Sequence, residues 1–143
     1  MPPFTHPSRP EWAQLIREGD RFLRTAVNGS RRPEIFSNEL RYGILTMAVE
    51  KYLVGVFSYH RCMPEGHTLG GLAAGADRIA PMAANLRAAI QRIENFQELC
   101  SLETYHRRAP GDEELQAMLQ TGEEVRGYAA SALNPNEPIE EKK

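Results

Sequence analysis

The chain of 143 residues reads as an all-α protein: an antiparallel up-and-down bundle of four main helices plus one short helix. Three observations predict it. The stretch from Pro33 to His60 has one proline at its start, where a helix tolerates it, and no other until Pro64. Apolar residues recur at helical intervals in further segments before and after that stretch. No segment alternates with the period of two that a half-buried strand requires, and no internal repeat or linker divides the chain. One domain of this size can bury a core without staples, and 41% hydrophobic with 25% charged residues is an ordinary globular balance.

In order along the chain, residues 1–7 hold three prolines and are expected to form an extended arm. Ser8 and Glu11 fit a capping box with Pro10 in the first turn, and Trp12, Leu15, Ile16, Gly19, Phe22, Leu23, Ala26 and Val27 then make an i, i+3, i+4 series that Asn28-Gly29 stops. The long segment Pro33 to His60 reads as one helix of 28 residues, about 42 Å long at ~1.5 Å per residue. After a turn built on Pro64 and Gly66, Thr68 can cap a short helix with Leu69, Leu72, Ala73, Ala76 and Ile79 inward. Its glycines, Gly70, Gly71 and Gly75, make it dependent on tertiary packing or let backbones approach closely. Pro81 opens the next helix, with a seam of Met82, Leu86, Ala89, Ile93, Phe96 and Cys100. Pro110-Gly111 closes a loop, Asp112 caps the last helix, and Leu115, Met118, Leu119, Gly122, Val125, Ala129, Ala132 and Leu133 form its face. The bundle domain therefore covers residues 8–133, and residues 134–143 have nothing to bury and read as a disordered tail.

The long helix carries two apolar stripes rather than one. Phe36, Leu40, Gly43, Ile44, Met47 and Val54 make the first, and Tyr42, Leu45, Val49, Tyr52, Leu53 and Val56 the second. Burial on both sides follows, with the second stripe either deep in the core or facing another subunit. The apolar area of Tyr42 to Val56 favours a homodimer that covers it. Lys51 falls within the first stripe, where its ammonium must snorkel or find a partner, and a carboxylate from another helix is expected in preference to a ligand.

A net charge of −2 excludes a broadly basic surface of the kind that coats nucleic acid, though not a local patch. Cys62 and Cys100 have no paired-motif spacing and read as reduced thiols. MPPFTHPSRP lacks the apolar core of a signal peptide and no apolar run approaches membrane-spanning length, so the expected location is soluble and cytoplasmic. No metal or cofactor is expected, since His60 and His67 are separated by a turn and neither cysteine adds a close ligand. Basic and aromatic residues instead gather in two places, Arg61 with His67 and Tyr105, His106, Arg107 with Arg108. Arginine forks suit phosphate, and histidine supplies hydrogen bonds or proton transfer near neutral pH. The two groups form one basic rim if the short helix reverses the chain fully. They fall at opposite ends if Pro81 merely kinks a continuous helix.

The order of these signals resembles that of the HEPN domains (higher eukaryotes and prokaryotes nucleotide-binding). The residues that carry the resemblance are Ala48-Val49-Glu50-Lys51 at the centre of the long helix, His67-Thr68-Leu69 at a His-Asp-Leu-like turn, and Arg108-Ala109-Pro110 before the last helix. It spans about Trp12 to Leu133. The resemblance implies a helical binding or partner module that associates with nucleotide, RNA or a nucleotidyltransferase, in a toxin–antitoxin or defence-type setting. One alternative is a metal-independent ribonuclease of the HEPN type, and another is a structural homodimer without a ligand. Catalytic members of that family carry an arginine and a histidine with four to six residues between them at the start of a late helix. Here that spacing occurs as Arg61 and His67, in a turn interrupted by Pro64 and Gly66, so binding is expected in preference to cleavage.

Overall fold

The computed structural model describes residues 11–102 and 109–133, with the side chains of residues 97–102 excepted. The arm of residues 1–7, the Ser8 cap, the side chain of Cys100, and the tail of residues 134–143 lie outside the described residues. The described residues form five α-helices: α1 (Glu11–Asn28), α2 (Asn38–Tyr59), α3 (Leu69–Ile79), α4 (Ala84–Leu102) and α5 (Asp112–Ala132). A single 3-10 turn, Gly29–Arg31, follows α1. Among the described residues there is no strand, and no helix is long and apolar enough to cross a membrane.

Side-chain contacts fix the directions of the helices. Gly19 of α1 lies against Tyr52, Ile16 lies against Gly55, and Arg41 reaches the carbonyl of Ala26, so α1 and α2 are antiparallel. Asn38 bonds to Asp112, Leu45 touches Gly122 and His60 meets the carbonyl of Ala132, which makes α5 parallel to α2. Gly70 donates to Glu94 and Asp77 pairs with Arg87, so α3 and α4 form an antiparallel hairpin. Tyr42, near the start of α2, donates to the carbonyl of Ile93 and packs edge-on against Phe96, so α4 runs back down α2. The four main helices therefore alternate in direction, as expected, and short α3 repeats the direction of α2.

The long central helix is shorter than the sequence expectation. It has 22 residues and begins at Asn38, because the Ser37 hydroxyl accepts the Leu40 N–H at 3.1 Å. That N–H would have bonded the Phe36 carbonyl in a longer helix, so the cap replaces the continuation. Residues 33–36 turn instead, with Ile35 and Phe36 N–H groups both on the Arg32 carbonyl. Two other boundaries also shift. Asp77 captures the Met82 N–H at 2.7 Å and delays α4 to Ala84, and Gly111 rather than Asp112 stands before α5, its N–H held by Glu114 at 2.9 Å. Thr68 caps α3 as expected, accepting from Gly71 at 3.1 Å.

The core settles which stripe of α2 is inside. Tyr42, Leu45, Val49, Tyr52, Leu53 and Val56 are all buried within the single chain, among Leu23, Leu72, Ile90, Leu115 and Val125. Expecting a dimer interface there is thus corrected: α1, α5 and the α3–α4 hairpin cover that stripe, leaving it no area to offer a partner. The other stripe is the outer one, with Leu40 and Met47 exposed and Ile44 and Val54 only partly buried. Arg41 is the buried cation of α2. Its Nε donates to the Ala26 carbonyl at 2.8 Å and an Nη to that of Val27 at 3.3 Å, closing the C-terminus of α1 with a positive charge at the negative end of its dipole.

Candidate functional site

The end of α2 is closed by a tight turn that shapes the surface beside it. The Arg61 N–H bonds the Ser58 carbonyl at 3.1 Å, and the Cys62 N–H bonds that of Phe57 at 2.9 Å. These are the two bonds of a Schellman closure, which places Arg61 in the left-handed position normally taken by glycine. Its φ of 60° is the one positive value at a non-glycine residue among those described. The linker of residues 61–68 then runs back along α2, because His67 reaches Glu50, about two and a half turns before the helix ends, with Nδ1 to Oε2 at 3.6 Å. Both partners are well exposed, so this contact adds little stability and serves to mark the path of the linker.

Folding the linker back leaves a trough on each side of Met63. One cavity of about 270 Å³ lies toward α3 and is lined by Phe57, Met63, Glu65, Gly75, Arg78 and Ile79. A second of about 260 Å³ lies toward the start of α1 and is lined by Glu11, Val54, Phe57, Arg61, Met63 and Pro64. Phe57 is common to both floors. It fits there because α3 carries Gly75: a Cβ at that position would stand 2.6 Å from Phe57 Cζ. Each half of the trough thus combines an apolar floor, one arginine and one carboxylate. The Met63 side chain, 88% exposed, stands between them, and the Cys62 thiol is also exposed.

Of the residues expected to form a basic rim, Arg61 lines the trough and His67 lies further back along α2, beside Glu50. Tyr105, His106, Arg107 and Arg108 lie outside the described residues. The segment that follows them is at the other end of the bundle from Arg61, since the Pro110 carbonyl accepts from Asn38, the first residue of α2, at 2.9 Å. The linker, not α3, makes the return, so α4 ends at the start of α2. Arg78, which the sequence reading did not single out, is the second arginine that the fold brings to the trough. Only the capping of α3 at Thr68, which sets where Arg78 falls on the last turn of that helix, could have pointed to it.

Two further polar groupings cross between helices. Lys51 finds the carboxylate it needs in Glu18 of α1 at 3.0 Å, and that bond, with a second from Gln14, holds Glu18 below the usual carboxylate range. Asp20 of α1 accepts from the Tyr52 hydroxyl at 2.5 Å and from Arg126 Nε of α5 at 3.2 Å, beside a cleft of about 180 Å³. Burial first, and the Asp20 carboxylate second, push the Tyr52 phenol far above its ordinary range. This group ties three helices together and has no local sequence signature, because its members lie 32 and 106 positions apart. No family model, curated protein or solved structure matches the chain.

Proposed function

We propose that the chain is a HEPN-like helical binding module whose linker trough takes a nucleotide or an unpaired stretch of RNA, working beside a nucleotidyltransferase-type partner. The single observation that carries this reading is the pairing of apolar floor and arginine on both sides of Met63. A base needs an apolar surface to lie against, a phosphate needs a guanidinium fork, and a carboxylate can accept from a base amino group or a ribose hydroxyl. Glu65 lines one half of the trough and Glu11 the other, so each half offers one such acceptor. The resemblance in the order of motifs supports the same class of ligand, and a toxin–antitoxin or defence-type setting rests on that resemblance alone. Binding is preferred to cleavage because Arg61 and His67 are set about 15 Å apart along the α2 axis, at ~1.5 Å per residue from Glu50.

The test uses the strained backbone of Arg61. Replacing it with glycine relieves the left-handed position and is expected to raise stability by about 1 kcal/mol. The same change removes a charge-assisted contact to phosphate and is expected to weaken binding about tenfold. Fluorescence anisotropy with a labelled unpaired RNA oligonucleotide, competed with a nucleoside monophosphate, reads the second effect; thermal melting reads the first. Saturable, salt-sensitive binding that drops in Arg61→Gly while the protein becomes more stable supports the reading. Absence of saturable binding, or equal affinity in the variant, contradicts it.

A further inference from the structure

The cleft of about 180 Å³ between α1 and α5 shares no lining residue with either half of the linker trough. Tyr52 and Leu23, both buried, and the partly buried Val27 supply its apolar lining. Around them stand two cations, Arg24 and Arg126, and two carboxylates, Asp20 and Glu123. Asp20 and Arg24 are at i and i+4 on α1, the spacing at which opposite charges on a helix ordinarily pair. They do not pair here. The Tyr52 hydroxyl and Arg126 Nε both donate to Asp20 Oδ1, at 2.5 and 3.2 Å, and Oδ2 takes no bond among the described residues. Burial first, and Asp20 second, keep the Tyr52 phenol protonated, so it remains a donor that fixes the carboxylate. Arg24 and the Asn28 amide, one turn further on, have no side-chain partner among the described residues, and Glu123 has only a loose one, Arg126 Nη1 at 3.8 Å.

We infer that this cleft binds a small zwitterion, an α-amino acid with an aliphatic side chain. Its carboxylate meets Arg24 and the Asn28 amide, its ammonium meets Asp20 Oδ2 and Glu123, and its side chain lies against Leu23 and Val27. Charge balance selects this class of ligand. With two positive and two negative groups around the cleft, a free anion or a free amine satisfies one sign and leaves the other facing it. Separation selects the α-amino acid within the class. Asp20 and Arg24 are one helical turn apart, with Cβ atoms ~5–6 Å from each other, so the ligand's own charges must be close together, as they are on either side of a single α-carbon. Size agrees. Sites for drug-sized ligands measure ~300–1,000 Å³, whereas this cleft of about 180 Å³ has room for about six waters at ~30 Å³ each, enough for an aliphatic amino acid and too little for a nucleotide. The bound ligand bridges α1 and α5 and stabilises the folded chain, whatever the linker trough holds.

Calorimetric titration of the full chain with L-alanine, L-valine and L-leucine, each to about 10 mM, tests it. Isobutylamine and isovalerate, which are valine without its carboxylate and valine without its ammonium, are titrated beside them. At least one of the three amino acids is expected to bind saturably and to raise the melting temperature, and both single-charge analogues to bind at least ~10-fold more weakly. Arg24→Gln, at an exposed position without a partner, is expected to keep its helical circular dichroism and to lose ~10-fold or more in amino-acid affinity. Arg17→Gln, exposed on the same helix but outside the cleft, is expected to leave that affinity unchanged. Lack of saturable binding by all three amino acids, isobutylamine or isovalerate binding as tightly as the best of them, or equal affinity in Arg24→Gln overturns the proposal.

Discussion

Replacing a helical glycine with alanine ordinarily stabilises a protein, and two glycines of this chain should respond with opposite signs. In a solvent-facing helix interior the exchange is worth ~0.8–1 kcal/mol, because alanine loses less conformational freedom on folding. Gly127, on α5, has nothing within 4 Å of a built Cβ and should show that gain in full. Gly19, on α1, has the Tyr52 ring across it, with Cε1, Cδ1 and Cζ at 2.9, 3.0 and 3.1 Å from the built Cβ. Carbon atoms rest at about 3.5–4.0 Å, so the ring must retreat by roughly 0.6–0.9 Å. It has little freedom to do so: the side chain is fully buried and its hydroxyl is fixed on Asp20 at 2.5 Å. Overpacking of this kind costs ~1–3 kcal/mol. Set against the helix-propensity gain, the net change for Gly19→Ala is a loss of about 0–2 kcal/mol, and the two variants should differ by the overpacking cost itself, about 1–3 kcal/mol. Urea unfolding followed by far-UV circular dichroism measures both, with the midpoint moving and the slope unchanged. A Gly19→Ala protein as stable as Gly127→Ala would refute the close approach of α1 to α2.

Three further outcomes follow from the same geometry. Arg41→Met should cost about 1–3 kcal/mol in urea unfolding, since it keeps much of the apolar stem but leaves the Ala26 and Val27 carbonyls without their donor. The Tyr128 hydroxyl donates to the Ala80 carbonyl at 2.6 Å and to that of Ala76 at 3.1 Å, and burial, with Asp77 adding to it, pushes the phenol up to about 12. Folding therefore favours the protonated form; the contribution is complete below the ordinary tyrosine value of 10 and is lost as pH rises toward 12, so melting temperatures should fall across that window less steeply in Tyr128→Phe. Asp77 behaves in the opposite sense. The Met82 N–H first, and Arg87 second, hold its carboxyl below the usual range, so its contribution is present above the ordinary carboxylate value and disappears on acidification, and Asp77→Asn should flatten the acid limb of stability.

The fold was legible wherever one face of a helix decides its fate. The seams of α1, α4 and α5 are apolar on one side, and their periodicity alone places Leu23, Ile93 and Val125 inward. On α2 the pattern was ambiguous, because an apolar stripe on each side leaves no net direction for burial to follow. A discriminating signal was present: Gly43 and Lys51 belong to the first stripe, and neither a missing side chain nor an ammonium fills a core, whereas the second stripe is bulky throughout. The start of α2 was hidden because apolar spacing runs on through Phe36, and only the Ser37 hydroxyl ends it. The candidate site was half legible. Turn residues show that the chain leaves the helix at Arg61, but not where it goes next; the landing of His67 beside Glu50 is a long-range result that Pro64 and Gly66 permit without specifying. The meeting of Asp20, Tyr52 and Arg126 is of the same kind.

The methionine methyl groups offer the most direct measurement of the central claim, that the linker trough is the ligand-binding surface. The chain has five methionines, and they sample the surfaces in question. Met63 stands between the two halves of the trough, Met47 marks the outer stripe of α2, and Met82 lies in the core. In a carbon-13 methyl-methionine NMR spectrum, titration with a nucleoside monophosphate at fixed protein concentration is predicted to shift Met63 progressively to saturation. Met47 and Met82 should stay in place. Saturation with nucleotide that leaves Met63 unmoved would contradict the account.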